Sequence, residues 1–122
     1  MSTNNNQTTN HKEVKPKWKP NAETATIAKL SGSKLQSLIH NDLAECTALT
    51  LSGRGITKME DLSGASQLHR VDLSNNAITR LQGFASVTGI SMLNVSSNAL
   101  AGDASLEDLR YPPPHPIRIY HT

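Results

Sequence analysis

Cysteine occurs once in the 122 residues, at Cys46, and aromatic residues make up only 3% of the chain. A single thiol excludes a disulfide framework within the chain and fits a reducing compartment. With one Trp, one Phe and two Tyr, the core must come from Leu, Ile and Val, and it must be thin. No stretch approaches the roughly 18 consecutive apolar residues of a membrane span, so none is expected. The opening MSTNNNQTTN has no apolar run to act as a secretory signal, and it lacks the Arg and apolar residues of an organelle-targeting helix. An intracellular location, cytoplasmic or nuclear, is the expectation.

Catalytic constellations are missing as well. There is no Gly-x-Ser-x-Gly elbow to present a nucleophile and no Gly-x-x-x-x-Gly-Lys-Ser/Thr loop to cradle phosphate. His11, His40, His69, His115 and His121 are scattered. His115 and His121 have no Cys or carboxylate beside them to complete a metal site. Glu60/Asp61 and Glu107/Asp108 are adjacent in sequence, and adjacent residues do not face one another on a helix, so they read as solvated charges. Cys46 falls on an apolar position and is expected to be buried and inert. No catalytic residue, no metal site and no cofactor is expected, and the chain does not read as an enzyme.

Charge is sparse and uneven. The formal net charge is +2, from 12 basic and 10 acidic residues. Lys12, Lys15, Lys17 and Lys19 stand against Glu13 alone in the first 20 residues, which leaves the rest of the chain close to neutral. The basic excess therefore belongs to an arm, residues 1–24, whose Asn, Thr, Lys and Pro have little to bury and are expected to stay disordered. Trp18, set among lysines in KPKWKP, is either loosely packed on the domain edge or an aromatic anchor for a partner. Four lysines support at most a weak nucleic-acid contact through residues 12–19.

What the chain does have is periodicity. Leu49, Leu51, Ile56, Met59 and Leu62 are followed 22 residues later by Val71, Leu73, Ile78, Leu81 and Phe84, and then by Leu93, Val95 and Leu100. A fixed apolar skeleton at a constant interval predicts one small unit stacked on copies of itself. The pairs Leu49/Leu51, Val71/Leu73 and Leu93/Val95 predict very short strands with both apolar side chains on the core face. Such strands would pair in parallel with the next unit. The returns near residues 60–67 and 82–89 predict one or two helical or 3-10 turns. Ala28, Leu30, Leu35 and Leu38 suggest a degenerate first unit, with a short helical turn over residues 41–45. Residues 103–109 suggest a last turn capped by Ser105. Tyr-Pro-Pro-Pro then opens a proline-rich tail, residues 111–122, which either lies along the open end or extends away.

The segment VDLSNNAITRLQGF at residues 71–84 resembles a leucine-rich repeat of the short 22-residue class typified by the regulatory subunit of type 1 protein phosphatase. Leu68, Val71, Leu73, Asn76, Ile78 and Leu81 fill that pattern. Ile90, Leu93, Val95, Asn98 and Leu100 fill it again, and Cys46, Leu49, Leu51, Ile56 and Met59 fill an earlier copy with Arg54 where Asn belongs. The resemblance implies an α/β solenoid with short parallel strands on a concave face and short helical or 3-10 turns on a convex one. It would occupy residues 25–110, in units of about 25–45, 46–67, 68–89 and 90–110. Asn76 and Asn98 would form a structural ladder, each amide bonding backbone groups where the chain leaves a strand.

Membership of that class implies recognition of another protein by the strand-lined face. Thr50, Asp72 and Asn94 would point outward there, flanked by Ala48, Arg70 and Met92 on one side and by Ser52, Ser74 and Ser96 on the other. Arg70 and Asp72 would be its ion pair, and Met92 its best apolar anchor. The expected function is a non-catalytic protein-binding or scaffold module. The alternatives are a structural subunit of a large intracellular assembly (ciliary or ribonucleoprotein), stabilised by a neighbour at its open end, or an accessory protein that applies its basic arm to nucleic acid.

Overall fold

Segments with one apolar residue between polar neighbours form strands readily, because alternate side chains then face opposite sides of a sheet. In the computed structural model, which describes residues 13–84, 87, 89–100 and 118–120, three-residue segments centred on one inward apolar residue supply the four-stranded sheet. The elements run β1 (Lys29–Leu30), α1 (Gly32–Leu38), a 3-10 turn over Leu43–Glu45, β2 (Ala48–Thr50), β3 (Lys58–Met59), β4 (Arg70–Asp72), β5 (Met92–Asn94) and β6 (Arg118–Tyr120). They make two separate parallel sheets, a four-stranded one in the order β2-β4-β5-β6 and a pair β1-β3.

The register of the larger sheet places Leu49 beside Val71, Val71 beside Leu93 and Leu93 beside Ile119. Leu49, Val71 and Leu93 are buried, and Ile119 packs partly buried against the same cluster. The ladder continues past the strands through Leu51 N–H to Asp72 O, Leu73 N–H to Asn94 O and Val95 N–H to Tyr120 O, each at 2.7 Å. On the other side Lys29 pairs with Lys58 and Leu30 with Met59. Ala77 N–H to Ile56 O at 2.8 Å and Ala99 N–H to Ile78 O at 2.9 Å carry that wall onward. Leu51, Ile56, Met59, Leu62, Leu68, Leu73, Ile78 and Leu81 fill the space between the two walls. The gain of burying this row of aliphatic side chains is what holds strands of two and three residues in place.

The solenoid implied by the leucine-rich-repeat resemblance is corrected by this arrangement. The described chain is a single compact domain with one α-helix and two separate parallel sheets, not a repeating series of strand and helix. The helix stands before the four-stranded sheet, and none occupies residues 60–67 or the described part of 82–89. The physical reason lies in those returns. Ser63, Gly64, Ala65 and Ser66 are too few and too poor in helix formers to nucleate a helix. Their backbone bonds locally or sideways, as in Ala65 N–H to Leu62 O at 3.2 Å and Leu62 N–H to Gly83 O at 2.9 Å.

The first unit departs in the same way. Leu30, matched in sequence to Leu51, pairs in β1 with Met59 of β3. α1 follows at once because Ser31 caps it, its Oγ accepting from Lys34 N–H at 3.1 Å, and Leu35 buries its inner face. Gly32 is required there, since a Cβ would stand 2.0 Å from Ser63 O.

Residues 13–24, expected to be disordered with the rest of the arm, lie bonded to the domain. Trp18 and Ile39 form an antiparallel bridge. Thr47 N–H donates to Val14 O at 2.8 Å, His40 N–H to Lys17 O at 2.7 Å and Lys19 N–H to Leu38 O at 2.9 Å. Residues 1–12, the turn expected at 103–109 with its Ser105 cap, and His115 and His121 lie outside the described residues.

Two glycine substitutions separate backbone strain from collision. Gly53 has φ +67 with open space around its Cβ position, whereas Gly83 has φ +88 and would place a Cβ 2.0 Å from Glu60 O. Gly53→Ala is expected to cost about 1 kcal/mol from the left-handed backbone alone. Gly83→Ala is expected to cost clearly more, about 3 kcal/mol, because the return at Glu60 must also move. Urea denaturation of the two variants measures the difference, and equal midpoints would contradict the close approach at Gly83.

Candidate protein-recognition face

The period-two alternation that buries Leu49, Val71 and Leu93 turns their neighbours outward in two rows. One row is Ala48, Arg70, Met92 and Arg118, and the other is Thr50, Asp72, Asn94 and Tyr120. Ser52, Ser74 and Ser96 follow the second row where the chain leaves the sheet. Thr50, Arg70, Asp72, Met92, Asn94 and Ser96 are thus brought onto one continuous surface, while Ser74 is buried, at 8% exposure. Ala48 is almost covered, with Val14 of the arm bonded along it, so the open part of the face runs from Thr50 and Arg70 to β6.

The serine row is tied down rather than free. Ser74 donates both its N–H (2.9 Å) and its hydroxyl (2.7 Å) to Asp72 Oδ1. Ser96 does the same to Asn94 Oδ1, at 3.0 and 2.7 Å. These side-chain turns let Asn75 and Ser97 adopt φ of 58°. Asp72 is therefore held by Ser74, and the expected Arg70–Asp72 ion pair is replaced. Arg70 Nη1 instead meets Glu13 Oε2 at 2.9 Å. The carboxylate of Asp72 faces the serine row, and the arm brings another to Arg70.

Beneath the face, Asn76 and Asn98 occupy equivalent places. Asn76 Oδ1 accepts from Arg54 N–H and Ile56 N–H, both at 3.0 Å. Its Nδ2 is shared among Leu51 O (3.0 Å), Leu73 O (2.9 Å) and Ser74 O (3.0 Å). Asn98 Oδ1 accepts from Ile78 N–H at 2.9 Å, and its Nδ2 reaches Leu73 O (2.8 Å) and Val95 O (3.0 Å). An amide carries both acceptor and donors on one planar group, so a single side chain satisfies two adjacent turns.

Arg54, standing where an Asn was expected, is buried to 5% exposure and does something else. Its Nε donates to Ala25 O at 2.7 Å and its Nη2 to Ala22 O, while the guanidinium lies over the Trp18 ring at 4.7 Å. Burial lowers the tendency of this guanidinium to hold its proton, and the nearby Glu23 carboxylate partly opposes that. Arg54 and Trp18 together fasten residues 18–25 to the body. The signal for this was present in the sequence as two exceptions, an Arg in an Asn position and a lone Trp, that no pattern linked.

Lys15, Lys17 and Lys19 are exposed along the arm, at the edge beside residues 38–47 rather than on the sheet face. Lys12 lies outside the described residues. Among the described residues no group of three His, Cys, Asp or Glu side chains could hold a metal ion, and no helix is long and apolar enough to cross a membrane. Arg118, Tyr120 and Glu13 had not been assigned to the face. The polar–apolar–polar order of Arg118-Ile119-Tyr120 repeats that of Arg70-Val71-Asp72 and was the available sign. No family model, curated protein or solved structure matches this chain, so the leucine-rich-repeat resemblance finds no support there.

Cys46 is fully buried, and its thiol is pushed up mainly by burial. The hydrogen bond from Asn41 opposes the shift, and the carboxylates of Glu45 and Asp42 add to it. The folded chain therefore holds the thiol proton more tightly than the unfolded one. The resulting stability is complete below the ordinary thiol pKa of 9.0 and is lost as pH rises above it. Cys46→Ala is expected to flatten the alkaline part of a stability-against-pH curve, and thiol reagents are expected to label wild-type Cys46 only as fast as the chain opens. Labelling at the rate of a free thiol would contradict the burial.

Removal of the Asn76 amide leaves several buried backbone groups without partners. Asn76→Leu is expected to lower stability by about 3 kcal/mol or more, against about 1 kcal/mol for Asn75→Ala at the exposed neighbouring turn. Thermal unfolding of the two variants tests this.

Proposed function

We propose that the chain is a non-catalytic protein-binding or scaffold module that works inside the cell, and that its contact surface is the open face of the four-stranded sheet. The observation that carries this is the composition of that face. Exposed Arg70, Arg118 and Tyr120 and half-buried Met92 stand together on a rigid parallel ladder. Arg, Tyr and Met are the residue types most enriched where proteins bind one another. Tyr120, at 48% exposure, and Val14, at 36%, are the large hydrophobic side chains left uncovered among the described residues. Single exposed apolar residues are ordinary; an exposed Tyr beside Met and two Arg on one sheet is a contact patch. The buried lone thiol accords with a reducing compartment.

Affinity capture with the full chain and with a Met92→Glu variant tests the proposal. The substitution places a carboxylate between Arg70 and Arg118 on the face, at a half-buried position outside the core cluster. Proteins retained by the wild type are expected to be lost from the variant at unchanged circular dichroism. Identical retention by both would move the contact away from the sheet. Loss of the captured material on nuclease treatment alone would favour the basic arm acting on nucleic acid.

A further inference from the structure

We infer that the face takes an acidic protein segment, one in which two carboxylates flank an apolar side chain, and that Glu13 holds part of this site in the free chain. The inference rests on the proposed use of the sheet face. The register sets Arg70, Met92 and Arg118 on three adjacent strands. Strands lie about 4.8 Å apart, so the two arginines are rooted about 10 Å from one another with Met92 between them. The row is cationic, apolar, cationic, and the complementary ligand is anionic, apolar, anionic.

Arg70 already shows the chemistry. Its Nη1 meets the Glu13 carboxylate at 2.9 Å, and both side chains remain substantially exposed, at 57% and 36%. Arg118 has no ion pair among the described residues. Asp72, the acidic group that shares the face, is turned to Ser74 and makes no ion pair with the row among the described residues. Glu13 thus stands as a tethered carboxylate on one half of a two-point site, and the other half is open.

Binding of a fluorescent peptide carrying two glutamates around a leucine, read by anisotropy with the full-length protein, tests the inference. The glutamate peptide is expected to bind more tightly than its glutamine counterpart, and its affinity is expected to fall with salt. Arg118→Gln is expected to weaken it about fivefold, and Glu13→Gln to strengthen it by about twofold to fivefold, the range of exposed ion pairs. The Glu13→Gln gain is expected to vanish in an Arg70→Gln background, which a merely structural role for Glu13 would not produce. Equal binding of the glutamine peptide, indifference to Arg118→Gln, or tighter binding of a single-stranded RNA oligonucleotide that ignores both Arg118→Gln and Glu13→Gln would each overturn the inference. If Met92→Glu abolishes protein capture while the glutamate peptide shows no preference, acidic recognition fails and the face stands. If capture is unchanged in Met92→Glu, both fall.

Discussion

The strands β2, β4 and β5 are three residues long, and the turns that follow them leave backbone groups that the strands themselves do not satisfy. The amides of Asn76 and Asn98 answer that constraint. Asn76 accepts from two N–H groups of the preceding turn and donates to carbonyls of both β2 and β4 segments. Because one planar group reaches two strands, it fixes the spacing between them as well as the hydrogen bonding. Leu51 and Leu73 are then neighbours in the core by necessity. A buried unpaired backbone group costs as much as several buried methylenes return, so the aliphatic row alone could not hold this geometry.

A parallel sheet so built has two open edges, and the chain covers them unequally. At β2 the arm lies along the edge through Val14, Thr47 and Ala48. The clasp of Arg54 on Trp18, Ala22 and Ala25 holds the following segment down. At β5 the covering element is β6, which carries Arg118 and Tyr120 onto the face as it closes the edge. The same pairing that extends the ladder therefore completes the proposed contact surface. Unpaired strand edges invite adventitious pairing, and here Val14 bonds along β2 while residues 118–120 pair with β5.

How much of this could be read from residues depends on which physics each residue obeys. The inward positions were legible, because burial at Leu49, Val71 and Leu93 follows from alternation alone. The outward residues of β4 and β5 followed from the same alternation. The path of the returns, where short helical or 3-10 turns are expected, is not legible, since nothing in residues 63–67 shows that Gly32 packs against the backbone of Ser63 or Gly83 against that of Glu60. α1 was missed because Leu30, Leu35 and Leu38 fit the spacing of a strand unit as well as that of a capped helix. The leucine-rich-repeat pattern implied a strand-helix alternation, and one helix with two separate parallel sheets stands in its place. The clasp at Arg54 and the Glu13–Arg70 pair depend on contacts across 29 or more residues, and no periodicity encodes those.

The Glu13–Arg70 pair also bears on how the proposed face, with so few large residues, would select a partner. An exposed ion pair is worth little on its own, about 1 kcal/mol at most. A tethered carboxylate nevertheless enjoys a high effective concentration at Arg70. On the proposed reading, a partner offering one carboxylate would have to compete with Glu13. A partner offering two would meet no tethered competitor at Arg118 and could use that contact, with Met92 between, to displace Glu13 from the first. Discrimination would then come from the spacing of charges and from the internal competitor, not from the size of the interface. The lightly charged, polar character of the remaining face serves the same end, because it adds no attraction that would blur the difference.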